Sequence, residues 1–348
     1  MIETLNKFAR LASARSEVVG ASLVILMVVM MVMPLSPMML DVLLAINISV
    51  SILLAISAVL IETPLAFSSF PAILLMTTLF RLSLTISTTR QILLEADAGH
   101  IVQTFGEFVV GGNIAVGLTI FIIISVVNFL VVTKGSERVA EVAARFSLDG
   151  MPGKQMSIDA DLNAGVIDQD TAKKRREELS QESDFFGSMD GASKFVSGDA
   201  VAGLLILVIN LIGGLTIGVA QHDLSLSEAG RIYTLLTIGD GLVAQIPALF
   251  LSLATAIIVT RVTTSESMTE QASSQLSNPT ALYLSAAILA IMGLVPGMPH
   301  LVFITLALAT AGLAYRFTQK QYYPIATPAE QAAQAALVEP KELDWDDV

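Results

Sequence analysis

The chain has 348 residues, 54% of them hydrophobic and only 14% charged, with a formal net charge of −12. Soluble domains carry about 25% charged residues, so an ordinary soluble fold is excluded. There is no cysteine, which excludes disulfides, thiolate metal sites and cysteine nucleophiles.

In chain order, apolar runs predict helices at about 18–36, 40–61, 65–86, 108–133, 198–220, 230–260, 280–296 and 300–316. A span needs roughly 20 apolar residues at about 1.5 Å each to cross about 30 Å of hydrocarbon. The first run, uncharged from Val18 to Leu35, is too long for the core of a signal peptide and has no small-residue cleavage site after it. The runs are continuous and lack the alternation of barrel strands. The predicted fold class is therefore all-α: a polytopic helical membrane protein of about eight transmembrane helices. The last two runs are short and joined by the tight turn PGMPH, so a shallow hairpin is the alternative there.

Charge sets the expected orientation. Lys7, Arg10 and Arg15 precede the first run, and nine of the 19 Lys and Arg fall between Lys134 and Lys194. Basic loops stay cytoplasmic. The expected organisation is four spans in 1–133, a small cytoplasmic insert over 134–195, four spans in 196–317 and a cytoplasmic linker over 318–348, with both termini inside. His100, His222 and His300 then fall in outer loops. Arg90 is a misfit, placed outside, and Arg81 lies within the third span. The two sets of four spans show no internal parallel, whereas a secondary transporter often carries two matching halves.

The insert is the one sizeable polar stretch. GSERVAEVAARF predicts a helix with Val139, Val142 and Phe146 on one face and Glu141 four residues before Arg145. MPGKQ is expected to break it, and TAKKRREELSQE to form a solvated helix with charge on all sides. Between them, Asp159, Asp161 and Asn163 match the first ligands of a calcium loop. The match fails at Ala164, where Gly is needed, and at Asp170, where a bidentate Glu is needed. A phosphate loop fails at Leu148 and Gln155. The isolated histidines argue against zinc, and no catalytic triad or nucleotide cradle is spelled out. No cofactor, metal or catalytic residue is expected, and the chain is read as a non-enzyme that binds no nucleic acid. The stretch after Thr327, rich in Ala, Glu and Asp, reads as a linker that opens a further element at ELDWDDV and stops.

Polar groups inside spans are the stronger signal, because charge at membrane depth faces a cavity or a partner. Asp41 starts the second run, Arg81 lies in the third, Asp199 opens the fifth, and Asp240 sits in an expected GDG break of the sixth. Asp41 and Asp199 each read equally well as a helix N-cap. Arg81 must find a carboxylate, a carbonyl or water. Asn47, Asn113, Asn128, Asn210 and Gln245 are expected to hydrogen-bond between helices, and Gly214 and Gly218 to allow close packing.

At RLSLTISTTR (81–90), KGSERVAEVAARFSLDGMPGKQMSIDADLNAGVID (134–168) and GDAVAGL (198–204), the sequence resembles the FHIPEP family, the membrane half of the type III secretion export gate. The resemblance covers about residues 17–317, and LLEADAGHIVQTFGEFVVGG looks like the injectisome (SctV-type) branch rather than the flagellar one. It implies a subunit of a nine-membered ring in the bacterial inner membrane. The ring would surround the export channel, beside other export-apparatus membrane subunits and the ATPase complex with its stalk. It would couple the proton motive force to export of unfolded proteins. It also implies a large cytosolic C-terminal domain, absent here, that docks chaperone–substrate complexes. Carried over by motif, the ion-coupling candidates are Lys154 and Asp159 in PGKQMSID and Asp199 in GDAVAG, then Arg81, Arg90 and Asp41. Lys154 and Asp159 are expected to form an opposite-charge pair beside the membrane that protonation would release. An ion-coupled secondary transporter and a purely structural membrane ring are the alternatives.

Overall fold

The computed structural model describes residues 16–61, 63–261, 277–294 and 299–322. Lys7, Arg10 and Arg15, most of the 261–279 loop, most of the PGMPH turn and the linker after Thr327 lie outside the described residues. Among the described residues there is no strand. The helices are α1 (Ser16–Val32), α2 (Pro37–Leu60), α3 (Phe70–Glu95), α4 (His100–Val110), α5 (Ile114–Val127), α6 (Lys134–Asn163), α7 (Gln169–Ala220), α8 (Leu226–Thr260), α9 (Pro279–Leu294) and α10 (His300–Tyr322). A 3₁₀ turn, Pro64–Phe67, precedes α3, and a π-helical turn, Asn128–Thr133, joins α5 to α6.

Each of the eight predicted runs falls on a helix. Among the described residues six helices are long and apolar enough to cross a membrane, and two apolar stretches, Gly20–Val32 and Pro279–Leu294, are shorter. The 24 residues of α2 extend about 36 Å, which spans the hydrocarbon with room to tilt. The protein is a polytopic helical membrane protein. Its chain divides into a unit of residues 1–265 and a unit of residues 266–348.

In the first unit α8 is the central helix. It packs against α2, α3, α4, α5, α6 and α7, which is why its apolar stretch is the most buried of the spans. One core cluster, with Phe70, Leu74, Phe185, Met189, Leu251 and Ile258, lies at the end that carries the insert. A second, with Leu40, Leu44, Ile92, Val102, Tyr233 and Leu236, lies at the opposite end. Gly214 and Gly218 hold the Tyr233 ring between α7 and α8: a Cβ at either would come within 2.3 or 2.6 Å of that ring. In the second unit α9 and α10 pack on each other, with Gly293 of α9 against Phe303 and Ile304 of α10.

Four sequence expectations about the backbone are corrected. The fourth span begins at Ile114, not 108, because Gly111 and Gly112 take left-handed φ of 51° and 86° and separate it from α4. Asn113 caps that span by accepting from the amides of Ala115 and Val116, rather than bonding to another helix. MPGKQ does not break the insert helix. Pro152 lies inside α6, which runs on to Asn163. The carbonyl that Pro152 leaves without its amide lies in a largely exposed stretch, where water can satisfy it. The chain turns instead at Gly165, with φ of 70°, and Asp168 caps α7 through the amide of Thr171. Finally, GDG does not interrupt the sixth span: α8 is continuous through it.

The second insert helix is the first part of α7, a single helix of 52 residues that runs straight into the fifth span. Its charges do not surround it. Ala172 and Leu179 pack with Ile158 of α6 in a small core of their own, so the insert is a helical hairpin continuous with two spans. On α6, Val139 packs against the main core while Val142 and Phe146 are exposed. Arg145 pairs with Asp149 rather than Glu141.

Candidate functional site

The six candidate residues do not form one cluster. Lys154 and Asp159 lie on α6 and do not pair with each other. Five residues apart on a helix of 3.6 residues per turn, they point about 140° away from one another. Both instead reach across the hairpin to α7: Lys154 lies 2.9 Å from Glu182, and Asp159 pairs with Arg176. Asp161 pairs with Arg175 at 3.3 Å. The Asp159 and Arg176 side chains are 53% and 46% exposed, so water screens the pair. Such pairs contribute about 0–1 kcal/mol, and Asp159→Asn is expected to lower the stability of the protein by less than about 1 kcal/mol in a thermal unfolding measurement in detergent.

Asp41 and Arg90 both bind helix ends. The Asp41 carboxylate accepts from the backbone amides of His100 and Ile101, at 3.0 and 2.9 Å. It is an N-cap, as one reading of the sequence had it, but of α4 rather than of its own helix. Gly99 makes this possible: its φ is 90°, and a Cβ there would lie 2.6 Å from an Asp41 oxygen. Asp41→Ala leaves the first amides of α4 without acceptors. It should cost about 1–2 kcal/mol, read as faster amide exchange at the start of α4. Arg90, the topological misfit, donates to the Val32 carbonyl at the C-terminus of α1, where a cation complements the helix dipole.

Arg81 and Asp199 do come together. Arg81 projects from α3 and donates through Nη2 to Asp199 Oδ2 on α7. The two side chains are only 4% and 9% exposed. Among the described residues no other ion pair is so enclosed on both sides. Asp199 is in the middle of α7, so its N-cap reading is corrected: the long helix of the insert supplies the turn before it. Asp240, on α8, is 5% exposed and accepts from the Thr88 hydroxyl of α3 at 2.6 Å. Arg81, Asp199 and Asp240 line a common cleft of about 60 Å³ with Thr237, Asn128 and Gln245.

The amides behave largely as expected. Asn210 reaches Thr89 of α3 at 3.2 Å, Gln245 reaches Ser125 of α5 at 2.6 Å, and Asn128 donates to the Gln245 carbonyl at 3.4 Å. Sequence reasoning missed Thr88, Thr237 and the α7 partners Arg176 and Glu182. A threonine in a span is an ordinary residue until a carboxylate is placed against it. The α7 partners read as surface charge until the hairpin closes. Outside the spans, the Lys194 ammonium is raised in pKa mainly by its hydrogen bond to Asp190. The two steady α7 where it leaves the insert.

The chain matches the FHIPEP family over residues 27–347. It is 53% identical to the flagellar biosynthesis protein FlhA of Proteus mirabilis over 94% of this chain and 48% of that protein. It is 57% identical to the harpin secretion protein HrpI of Erwinia amylovora over 88% and 44%, and 52% identical to the low calcium response locus protein D of Yersinia pestis over 92% and 45%. The chain thus spans about half the length of these relatives. No solved structure matches. With the family matched across nearly all of the membrane bundle and insert, the chain belongs to the FHIPEP family of type III secretion export proteins.

Proposed function

We propose that this chain is an inner-membrane subunit of a type III secretion export gate that couples inward proton movement to export of unfolded proteins. It sits in a homo-oligomeric ring beside the other export-apparatus membrane subunits, with both termini and the α6–α7 hairpin on the cytoplasmic side. The sequence of the 93–112 segment favours the injectisome branch. Chaperone–substrate complexes and the ATPase complex with its stalk are its working partners. The observation that carries the reading is the enclosed Arg81–Asp199 pair, one partner of which lies on a helix continuous with the cytoplasmic insert.

A carboxylate that pairs with arginine when charged loses most of that attraction when it takes a proton. Protonating Asp199 ends the ion pair between α7 and α3, and α7 carries the resulting shift directly into the hairpin, because no joint interrupts it between Gln169 and Ala220. The potential supplies about 2.3 kcal/mol per charge per 100 mV. On this reading the switch is Asp199 with Arg81, and Lys154 and Asp159 make only weak contacts across the hairpin. The test is secretion by cells carrying Asp199→Asn in the intact protein at wild-type abundance, as the proton motive force is titrated with an uncoupler. Export is expected to fall by at least about tenfold and to lose its dependence on the force. Wild-type export across the whole titration overturns the proposal.

A further inference from the structure

The cleft between α3, α5, α7 and α8 holds more polar atoms than the protein itself satisfies. Arg81 Nη1, Thr237 Oγ1, Asn128 Oδ1 and Gln245 Oε1 have no protein partner, and all four residues line it. Arg81 is 3% exposed, Thr237 2% and Asn128 9%. Each buried polar atom left alone costs about 1–3 kcal/mol, and a polar cavity resolves that cost with water. A water needs about 10–15 Å³ of such space, so a cleft of about 60 Å³ takes a short chain of them. The lining supplies both donors and acceptors, as a water chain requires.

The two carboxylates of the cleft differ in how they are held. Asp199 faces a permanent cation. Asp240 faces a hydroxyl that works in both directions: Thr88 Oγ1 lies 2.6 Å from Asp240 Oδ1 and 3.0 Å from the Thr85 carbonyl. When Asp240 is ionised, the hydroxyl donates to it. When Asp240 carries a proton, the acid donates to the hydroxyl, which turns its own hydrogen to Thr85. Both protonation states keep their hydrogen bonds, because a hydroxyl has one donor and two acceptor positions.

We propose that this cleft is a hydrated proton-transfer chamber inside a single protomer, in which Thr88, Thr237, Asn128 and Gln245 position Asp240 and the waters that link it to Asp199. The proton leaves the Asp240 acid for the first water. Each water passes one proton on as it accepts one, and the last proton binds the Asp199 carboxylate, ending its pairing with Arg81. Asp240 returns to the ionised state with the Thr88 hydroxyl donating to it. The relay between the two carboxylates therefore lies within one subunit. This rests on the proton-coupling reading above and names its route.

The test reconstitutes the intact protein in liposomes, imposes an inside-negative potential and follows proton entry with an internal pH dye. Thr88→Val and Thr237→Val keep side-chain shape and remove the hydroxyls; each is expected to lower the flux about tenfold or more, and Thr88→Ser and Thr237→Ser to restore it. Asp199→Asn is expected to abolish it. If Asp199→Asn abolishes flux while both valine variants conduct like wild type, the chamber is wrong and proton coupling stands. If Asp199→Asn conducts like wild type, or the wild type does not conduct, both readings fall. Infrared difference spectra on acidification give a second readout that does not need flux. A protonated-carboxyl band is expected that Asp240→Asn removes and Thr88→Val shifts; a band unmoved by Thr88→Val overturns the role of the hydroxyl.

Discussion

Asp199→Leu is expected to destabilise the protein by about 3–5 kcal/mol, the usual cost of stranding one member of an enclosed ion pair. It should cost more than Arg81→Leu. The asymmetry comes from chemistry: a stranded carboxylate can take up a proton and become neutral, whereas a guanidinium keeps its charge. Arg81 also has Nη1 already without a protein partner, so losing Asp199 leaves a whole cation to the few polar groups of a small cleft. The double substitution Arg81→Leu with Asp199→Leu removes both charges, and replacing an enclosed pair by apolar side chains is near neutral or stabilising by about 1–4 kcal/mol. Thermal unfolding in detergent should therefore rank the double variant at or above the wild type and both single variants below it. Secretion should rank differently, with the stable double variant exporting no better than Asp199→Leu. A double variant that is both stable and export-competent would make the pair a structural relic of the bundle.

Much of this architecture is legible in the sequence because membrane burial writes itself in composition. Each of the eight apolar runs falls on a helix among the described residues, although none located α4, and small residues marked the α7–α8 contact at Gly214 and Gly218. Four features were hidden for physical reasons. Pro152 and Gly153 spell a turn, but a proline costs a helix only one hydrogen bond and a local clash. An exposed helix with its continuation secured at Ile158 and Leu162 absorbs that. Gly239 and Gly241 spell a break, yet the absence of a side chain there serves close approach rather than flexibility. Lys154 and Asp159 sit near one another in sequence, but helical phase separates them, and their partners 28 and 17 residues away are fixed by the hairpin. The Arg81–Asp199 pair joins residues 118 positions apart. Sequence reasoning could require a partner for Arg81 without choosing among the carboxylates at membrane depth.

Gly239→Ala is the other substitution with a large expected effect, and it acts without touching any charge. A Cβ at Gly239 would lie 1.9 Å from the Val102 carbonyl oxygen and 3.1 Å from the Gly106 amide nitrogen. On the facing helix, a Cβ at Gly106 would lie 2.4 Å from the Leu235 carbonyl oxygen. At this crossing α4 and α8 therefore meet backbone to backbone. A backbone carbonyl cannot swing aside as the end of a side chain can, so one added methyl group must push α4 off α8 by more than an ångström. Small residues are what let helices approach so closely in a membrane, and overpacking costs about 1–3 kcal/mol or more. With backbone on both sides, about 3 kcal/mol is expected. The effect should propagate in two directions: α4 pulls on the cap that Asp41 gives it, and α8 carries Asp240, the next residue, away from Thr88. Gly187→Ala is the control. It lies within α7 with nothing inside 4 Å of an added Cβ, and an alanine there should stabilise the helix by about 0.5–1 kcal/mol. Opposite shifts of the unfolding temperature for these two glycines, with export lost only in Gly239→Ala, would show that GDG is a packing motif holding the proton-bearing carboxylate in place. Equal and small shifts would mean that α4 is free to move aside, and that the crossing does not set the position of Asp240.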